Sequence, residues 1–137
     1  MADMTRTIFI GEPTKKQKDI YKAVLKTQEE MINRIRPGMK VEKIEKAANK
    51  MVEELGYEGK FNHSLSHGVG LEIHEFPRYL RNKQEVFEEN MVFTVEPGIY
   101  IPDFCGVRIE DIVCLKNYGA CVLTKSSNKI EDMIILV

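Results

Sequence analysis

A chain of 137 residues, 43% hydrophobic and 30% charged, is long enough for one domain with its own core. Its formal net charge of −1 makes no electrostatic case for nucleic acid or an anionic membrane, and no apolar run approaches the roughly 20 residues of a membrane span. The opening Met1-Ala2-Asp3 has neither the basic nor the apolar region of a signal peptide, and Cys105, Cys114 and Cys121 lack CxxC spacing; both features fit reduced thiols in a cytoplasmic protein.

Residues 3–10 alternate, with Met4, Ile8 and Ile10 on one parity and Asp3, Thr5 and Thr7 on the other, which reads as a strand. A strand starting so early suggests a chain cut from something longer. Gly11-Glu12-Pro13 breaks it. Thr14 and Gln17 then form a capping-box pair, predicting a helix to about Arg36 with Ile20, Val24, Thr27, Met31 and Ile35 as its buried stripe. Lys15, Lys16, Lys18, Lys22 and Lys26 are the solvated face of that helix, since no aromatics interleave them. Pro37-Gly38 ends it. A second helix is predicted over Val41–Leu55, with Gly56 as its left-handed terminator. A charged loop over residues 76–90 leads into strands at 92–101 (interrupted by Pro97-Gly98), 107–116 and 119–124, with a hairpin turn at Asn117-Tyr118-Gly119. A final apolar run covers Met133–Val137. The expected fold class is α+β, with two helices packed on one face of a curved antiparallel sheet.

The most informative stretch lies between the helices and the strands. His63, His67 and His74 are all the histidines the chain has, and they fall within twelve residues. Imidazole ligates metals and moves protons near neutral pH. Four-residue spacing from His63 to His67 would share a helical face, but Gly68 and Gly70 argue for a turn or a close backbone approach. In a regular strand His67 and His74 would point to opposite faces, so a shared site requires the chain to bend between them. The alternative is a satisfied structural histidine at each position.

The strands carry a second signal. Glu96 ends the apolar run Val92–Val95, and Glu110 sits inside Val107–Val113, with Arg108 on its face by alternation. A carboxylate in a buried strand is costly unless it is paired or ligates a metal; the alternative is an edge position facing water. Acids on three strands beside a histidine cluster describe a hard, oxygen-rich site that favours Mn²⁺, with Co²⁺ and Zn²⁺ possible.

At these residues the sequence resembles a known family. The run from His63 through His67-Gly68-Val69-Gly70 to His74-Glu75 resembles the signature of the Xaa-Pro dipeptidases (prolidases) and Xaa-Pro aminopeptidases. Phe93–Tyr100, Gly106–Asp111 and Asp3–Phe9 look like three further blocks of that family, in the family's order. The resemblance implies the C-terminal half of a pita-bread metallopeptidase domain, lacking the N-terminal half. It implies metal ligation by Asp3, His67, Glu96 and Glu110, with the family's first aspartate falling before Met1. His63, His74 and Arg108 match substrate-binding or transition-state residues, and Glu96 a proton shuttle. The implied reaction is two-metal hydrolysis of proline-containing peptides, weak or absent in this chain alone. Methionine aminopeptidase, and a silent pita-bread module that binds peptides or proteins, are the rival readings. An uncovered sheet edge would favour a homodimer.

Overall fold

The computed structural model describes residues 2–78 and 84–137; the charged loop expected over 76–90 lies partly outside the described residues. Helix α1 covers Lys15–Arg34 and opens with the full capping box: the Thr14 side chain accepts from the Gln17 N–H and the Gln17 side chain from the Thr14 N–H. Ile20, Val24, Thr27, Met31 and Ile35 are all fully buried. Sealing each large apolar member of that stripe contributes about 1.5–3 kcal/mol, which is what holds the helix against the sheet. Helix α2 covers Val41–Glu54 and buries Val41, Ile44, Ala48 and Val52. It stops at Gly56, whose φ of +90° few other residues tolerate, while the Tyr57 N–H returns to the Val52 carbonyl.

Eight short strands follow or flank the helices: β2 (His67–Gly68), β3 (Glu75–Arg78), β4 (Val92–Val95), β5 (Gly98–Ile101), β6 (Cys105–Arg108), β7 (Asp111–Lys116), β8 (Gly119–Val122) and β9 (Ile134–Ile135), with β1 at Phe9–Ile10. The main sheet runs β3-β2-β4-β7-β8, antiparallel throughout. Helix α1 packs across β4, β5, β6 and β8, and α2 lies against α1.

The strand expected over 107–116 is broken, and the break builds the site. Val95 pairs with Asp111 and Gly98 with Arg108, so a single register continues across the gap and sets Glu96 opposite Glu110. Opposed residues in an antiparallel pair point to the same face. At the gap the ladder bonds are replaced by outsiders. The Glu96 N–H goes to the Leu65 carbonyl, and the Glu110 N–H to the Thr5 carbonyl. Pro97 has no N–H to offer, which makes this the natural place for the pairing to lapse.

The expected strand over 3–10 is a second correction. Only Phe9–Ile10 is regular strand, and it pairs parallel with Ile134–Ile135. Upstream there is one isolated bridge, Thr5 to Glu110. Side chains take over the ladder here: the Thr7 hydroxyl donates to the Arg108 carbonyl and accepts from the Arg108 N–H. The expected alternation survives, since Met4, Ile8 and Ile10 face outward while Asp3, Thr5 and Thr7 face the ribbon.

Candidate metal centre

Each polar group of the site arrives on a different segment. Glu96 and Glu110 come from the broken ribbon and are 8% and 3% exposed. Asp3 comes from the N-terminal segment that bridges to Glu110. His67 comes from β2, whose entry strap is bonded to Glu96 through Leu65.

His67 is oriented from both ends. Its Nδ1 lies 3.0 Å from the Gly68 carbonyl, which can only accept, so Nδ1 carries the proton. That leaves Nε2 facing the acids, 3.1 Å from Glu96 Oε1 and 3.6 Å from Asp3 Oδ2. A histidine fixed through one ring nitrogen and open at the other is the usual form of a metal ligand. Burial opposes protonation of this ring, but Glu96, the Gly68 carbonyl and Asp3 outweigh it and raise its pKa. Ligand atoms of Asp3, His67 and Glu110 lie within 4.8 Å of one another. Glu110 is held above the usual carboxylate range, first by burial and then by the charges of Glu96 and Asp3. Three acids crowded around one imidazole, two of them buried, form a donor set that a divalent cation would relieve. The residues present therefore fit a metal with hard-oxygen preference.

The bend required between His67 and His74 is there. Residues 69–74 turn the chain back so that β3 pairs with β2, and the two rings meet edge to face at 4.4 Å. Gly68 is needed for this: a Cβ there would stand 2.0 Å from the Phe76 carbonyl oxygen. His63 sits farther along the same strap. Its Nδ1–H donates to the Ser64 carbonyl at 2.9 Å, leaving Nε2 to accept from the Tyr100 hydroxyl at 2.9 Å. Arg108 does not touch Glu110 directly. Its Nε donates to Thr5 Oγ1 at 3.1 Å, and that hydroxyl donates to Glu110.

Sequence reasoning assigned no role to Thr5, Thr94, Tyr100 or Glu45. Thr94 Oγ1 donates to Glu96 Oε1 and accepts from the His67 N–H, both at 3.1 Å. Its signal was period 2: it shares a strand face with Glu96, as Thr5 does with Asp3. The Tyr100 hydroxyl bonds His63; burial raises its pKa, against the nearby charge of Arg108, and keeps it a donor. Glu45, 3% exposed on α2, accepts the Leu65 N–H through both oxygens, at 2.8 and 3.0 Å. Its spacing from Val41 and Ala48 puts it on the buried face of α2, a periodic signal from which it could have been found.

Burial raises the Glu45 pKa from 4.5 to about 7, against the pull of the Leu65 and Ser66 N–H groups and with help from the charge of Glu96. The folded value lies above the unfolded one, so the fold prefers the protonated acid. That contribution is complete below about pH 4.5 and is lost as pH rises toward 7, a gap worth roughly 3 kcal/mol. Urea denaturation of chelator-treated wild type and Glu45→Gln should therefore show the variant gaining on wild type by roughly 3 kcal/mol between about pH 5 and pH 8. A pH-independent difference would show that Glu45 titrates normally.

Residues 1–117 match the family described as metallopeptidase family M24. The chain belongs to that family. This M24 chain is 46% identical over 129 residues to the Xaa-Pro dipeptidase of Pyrococcus furiosus, covering 94% of its own length and 37% of the relative's. It is 41% identical to the Xaa-Pro dipeptidase of Lactobacillus delbrueckii subsp. lactis, covering 95% of itself and 35% of that protein. The chain thus spans a little over a third of the curated relatives it matches. Among solved structures, the prolidase of Pyrococcus horikoshii OT3 superposes with a TM-score of 0.89 at 45% identity, over 94% of this chain and 37% of that one. The X-Pro aminopeptidase of Thermotoga maritima MSB8 superposes with a TM-score of 0.90 at 39% identity, over 99% and 38%. The α+β arrangement of two helices on an antiparallel sheet is that of the pita-bread metallopeptidases.

Proposed function

We propose that this chain supplies the principal metal-ligating wall of a peptidase that cleaves Xaa-Pro bonds. The observation that carries the reading is the convergence of Asp3, His67, Glu96 and Glu110 from separate segments. The dipeptidase names of the relatives supply the substrate class. Those four residues would hold the cation through carboxylate oxygens and His67 Nε2, and the oxygen-rich set favours Mn²⁺ over softer ions. When bound, the metal would activate water and polarise the scissile carbonyl.

The chain's own residues do the rest. Glu96, steadied by the Thr94 hydroxyl, is placed to take a proton at Oε1 and pass it on. Tyr100 is bonded to His63 and faces the charge of Arg108, so these groups form one polar wall able to grip a substrate carboxylate or carbonyl. His74, edge-on to His67, is set to bind the substrate beside the metal. Three free cysteines suit a reducing, cytoplasmic setting.

The family resemblance implies a second metal with a further aspartate ligand that is not among the matched residues. The expected result is one tight Mn²⁺ per 137-residue chain by calorimetry, with slow or no hydrolysis of Xaa-Pro dipeptides and longer Xaa-Pro peptides. Two tight ions, or turnover equal to that of the longer relatives, would overturn the assignment. We further propose self-association through the β8 edge and the exposed Ile8, Ile10, Ile135 and Leu136. Sedimentation of a strict monomer at high concentration would dismiss it.

A further inference from the structure

Glu45 lies outside the ligand set, yet the structure ties it to that set by backbone. Its two oxygens hold the Leu65 N–H, and the neighbouring Ser66 N–H favours its charged form. The Leu65 carbonyl then accepts from Glu96 at 2.8 Å, and His67, one residue past Ser66, gives its N–H to Thr94. The strap of residues 63–67 is therefore clamped between α2 on one side and the broken ribbon on the other. On the α2 side the polar grip described is an acid in the middle of a buried helix face, flanked in the same stripe by Val41, Ile44, Ala48 and Val52, while the Leu65 side chain is buried in the same core. An apolar side chain there would cost less to bury. The groups that set its proton affinity are burial, two N–H donors and the negative Glu96; none is a cation. A structural ion pair is therefore not the explanation for an acid at this position.

We propose that Glu45 is a positioning residue of the metal centre, clamping the 63–67 strap to α2 so that His67 Nε2 stays at the point shared with Asp3, Glu96 and Glu110. The inference rests on the metal-centre reading above. The clamp acts through the Leu65 N–H, held by both carboxylate oxygens, which fixes the direction of the chain as it enters His67. Freed of it, the strap keeps its bonds to the ribbon and the burial of Leu65, but the peptide leading into His67 loses its fixed direction. Partners that orient metal ligands in this way typically carry a 10–100-fold share of metal affinity.

The test uses Glu45→Gln, which keeps the shape and removes a charge that is costly to bury, so the fold is retained. Glu45→Leu is a second variant without any acceptor. Val52→Ala is the control: it empties part of the same helix face, seven residues on, and removes no hydrogen bond to the strap. Mn²⁺ titration calorimetry and amide hydrogen exchange at Leu65 and Ser66 are read on all of them. Glu45→Leu should bind Mn²⁺ about 10–100-fold more weakly and exchange those amides at least about tenfold faster, with Glu45→Gln, which keeps one acceptor oxygen, falling between it and wild type. Val52→Ala should lower the melting temperature and leave the affinity within about threefold. Unchanged exchange overturns the clamp. Faster exchange with wild-type affinity shows a local cap without influence on the metal and overturns the positioning role. Equal weakening by Val52→Ala reduces the effect to general stability. If wild type itself binds no Mn²⁺, the metal-centre reading fails, while exchange still decides whether the clamp exists.

Discussion

Replacing His67 with alanine should abolish tight Mn²⁺ binding while leaving the fold in place. The imidazole is the one nitrogen donor in the set, and its Nε2 is the atom both Glu96 and Asp3 approach. Its side chain, 12% exposed, lies outside the apolar core cluster, and the backbone stays anchored by the Thr94 hydroxyl. Glu110→Ala should weaken binding similarly, with a larger fold penalty because Glu110 is 3% exposed and the Thr5 hydroxyl would lose its acceptor. For either variant the fall in affinity should exceed the roughly 10–100-fold that loss of an orienting partner costs. In a longer protein carrying the same sequence, Xaa-Pro hydrolysis should fall by more than the about 10²–10³-fold typical of deleting one stabilising donor. Calorimetry and a dipeptidase assay, with circular dichroism to confirm folding, make the comparison. A His67→Ala protein that still bound Mn²⁺ at wild-type affinity would remove His67 from the site.

What could be read in the sequence follows from how local each signal is. The capping box, the α1 stripe and the Gly56 terminator involve groups within about one helical turn, and all three appear where the periodicity puts them. The candidate acids were visible because a carboxylate in an apolar run has few cheap alternatives. The break between β6 and β7 was not visible. Across residues 107–116 the alternation slips only at Asp111-Ile112, and what stops the pairing is the arrival of Thr5 and Leu65, 105 and 31 residues away, at the Glu110 and Glu96 N–H groups. The short β1 was missed for the same reason, since the Thr7 hydroxyl replaced ladder bonds that alternation led one to expect. Glu45 was half-hidden: its spacing put it on the buried stripe of α2, but its backbone partner, twenty residues on, lies beyond that signal.

The largest stability effect is expected at Arg6, on the other face of the same bridge. Thr5 and Glu110 face the metal centre, so their neighbours Arg6 and Asp111 face the helix layer. Arg6 Nη2 sits 2.6 Å from Asp111 Oδ1, with side-chain exposures of 8% and 3%. The rest of the guanidinium is spent on carbonyls of Thr5, Glu110, Ser126 and Ser127. Asp111 is completed by Gln28 Nε2 at 3.0 Å and by the Thr124 hydroxyl. Arg6→Met fills similar space but leaves Asp111 without its cation and several carbonyls without a donor. Breaking a buried pair from one side costs about 3–5 kcal/mol. The pair borders a cleft of about 380 Å³, through which water can reach the stranded acid, so the lower end applies. That corresponds to a melting temperature lower by roughly 10 °C for a domain of this size. Adding Asp111→Asn should recover part of the loss, because the charge left behind is what makes the single variant so costly. Strict additivity of the two substitutions in urea denaturation would show that Arg6 stabilises the bridge through its carbonyl contacts alone and that its charge is incidental.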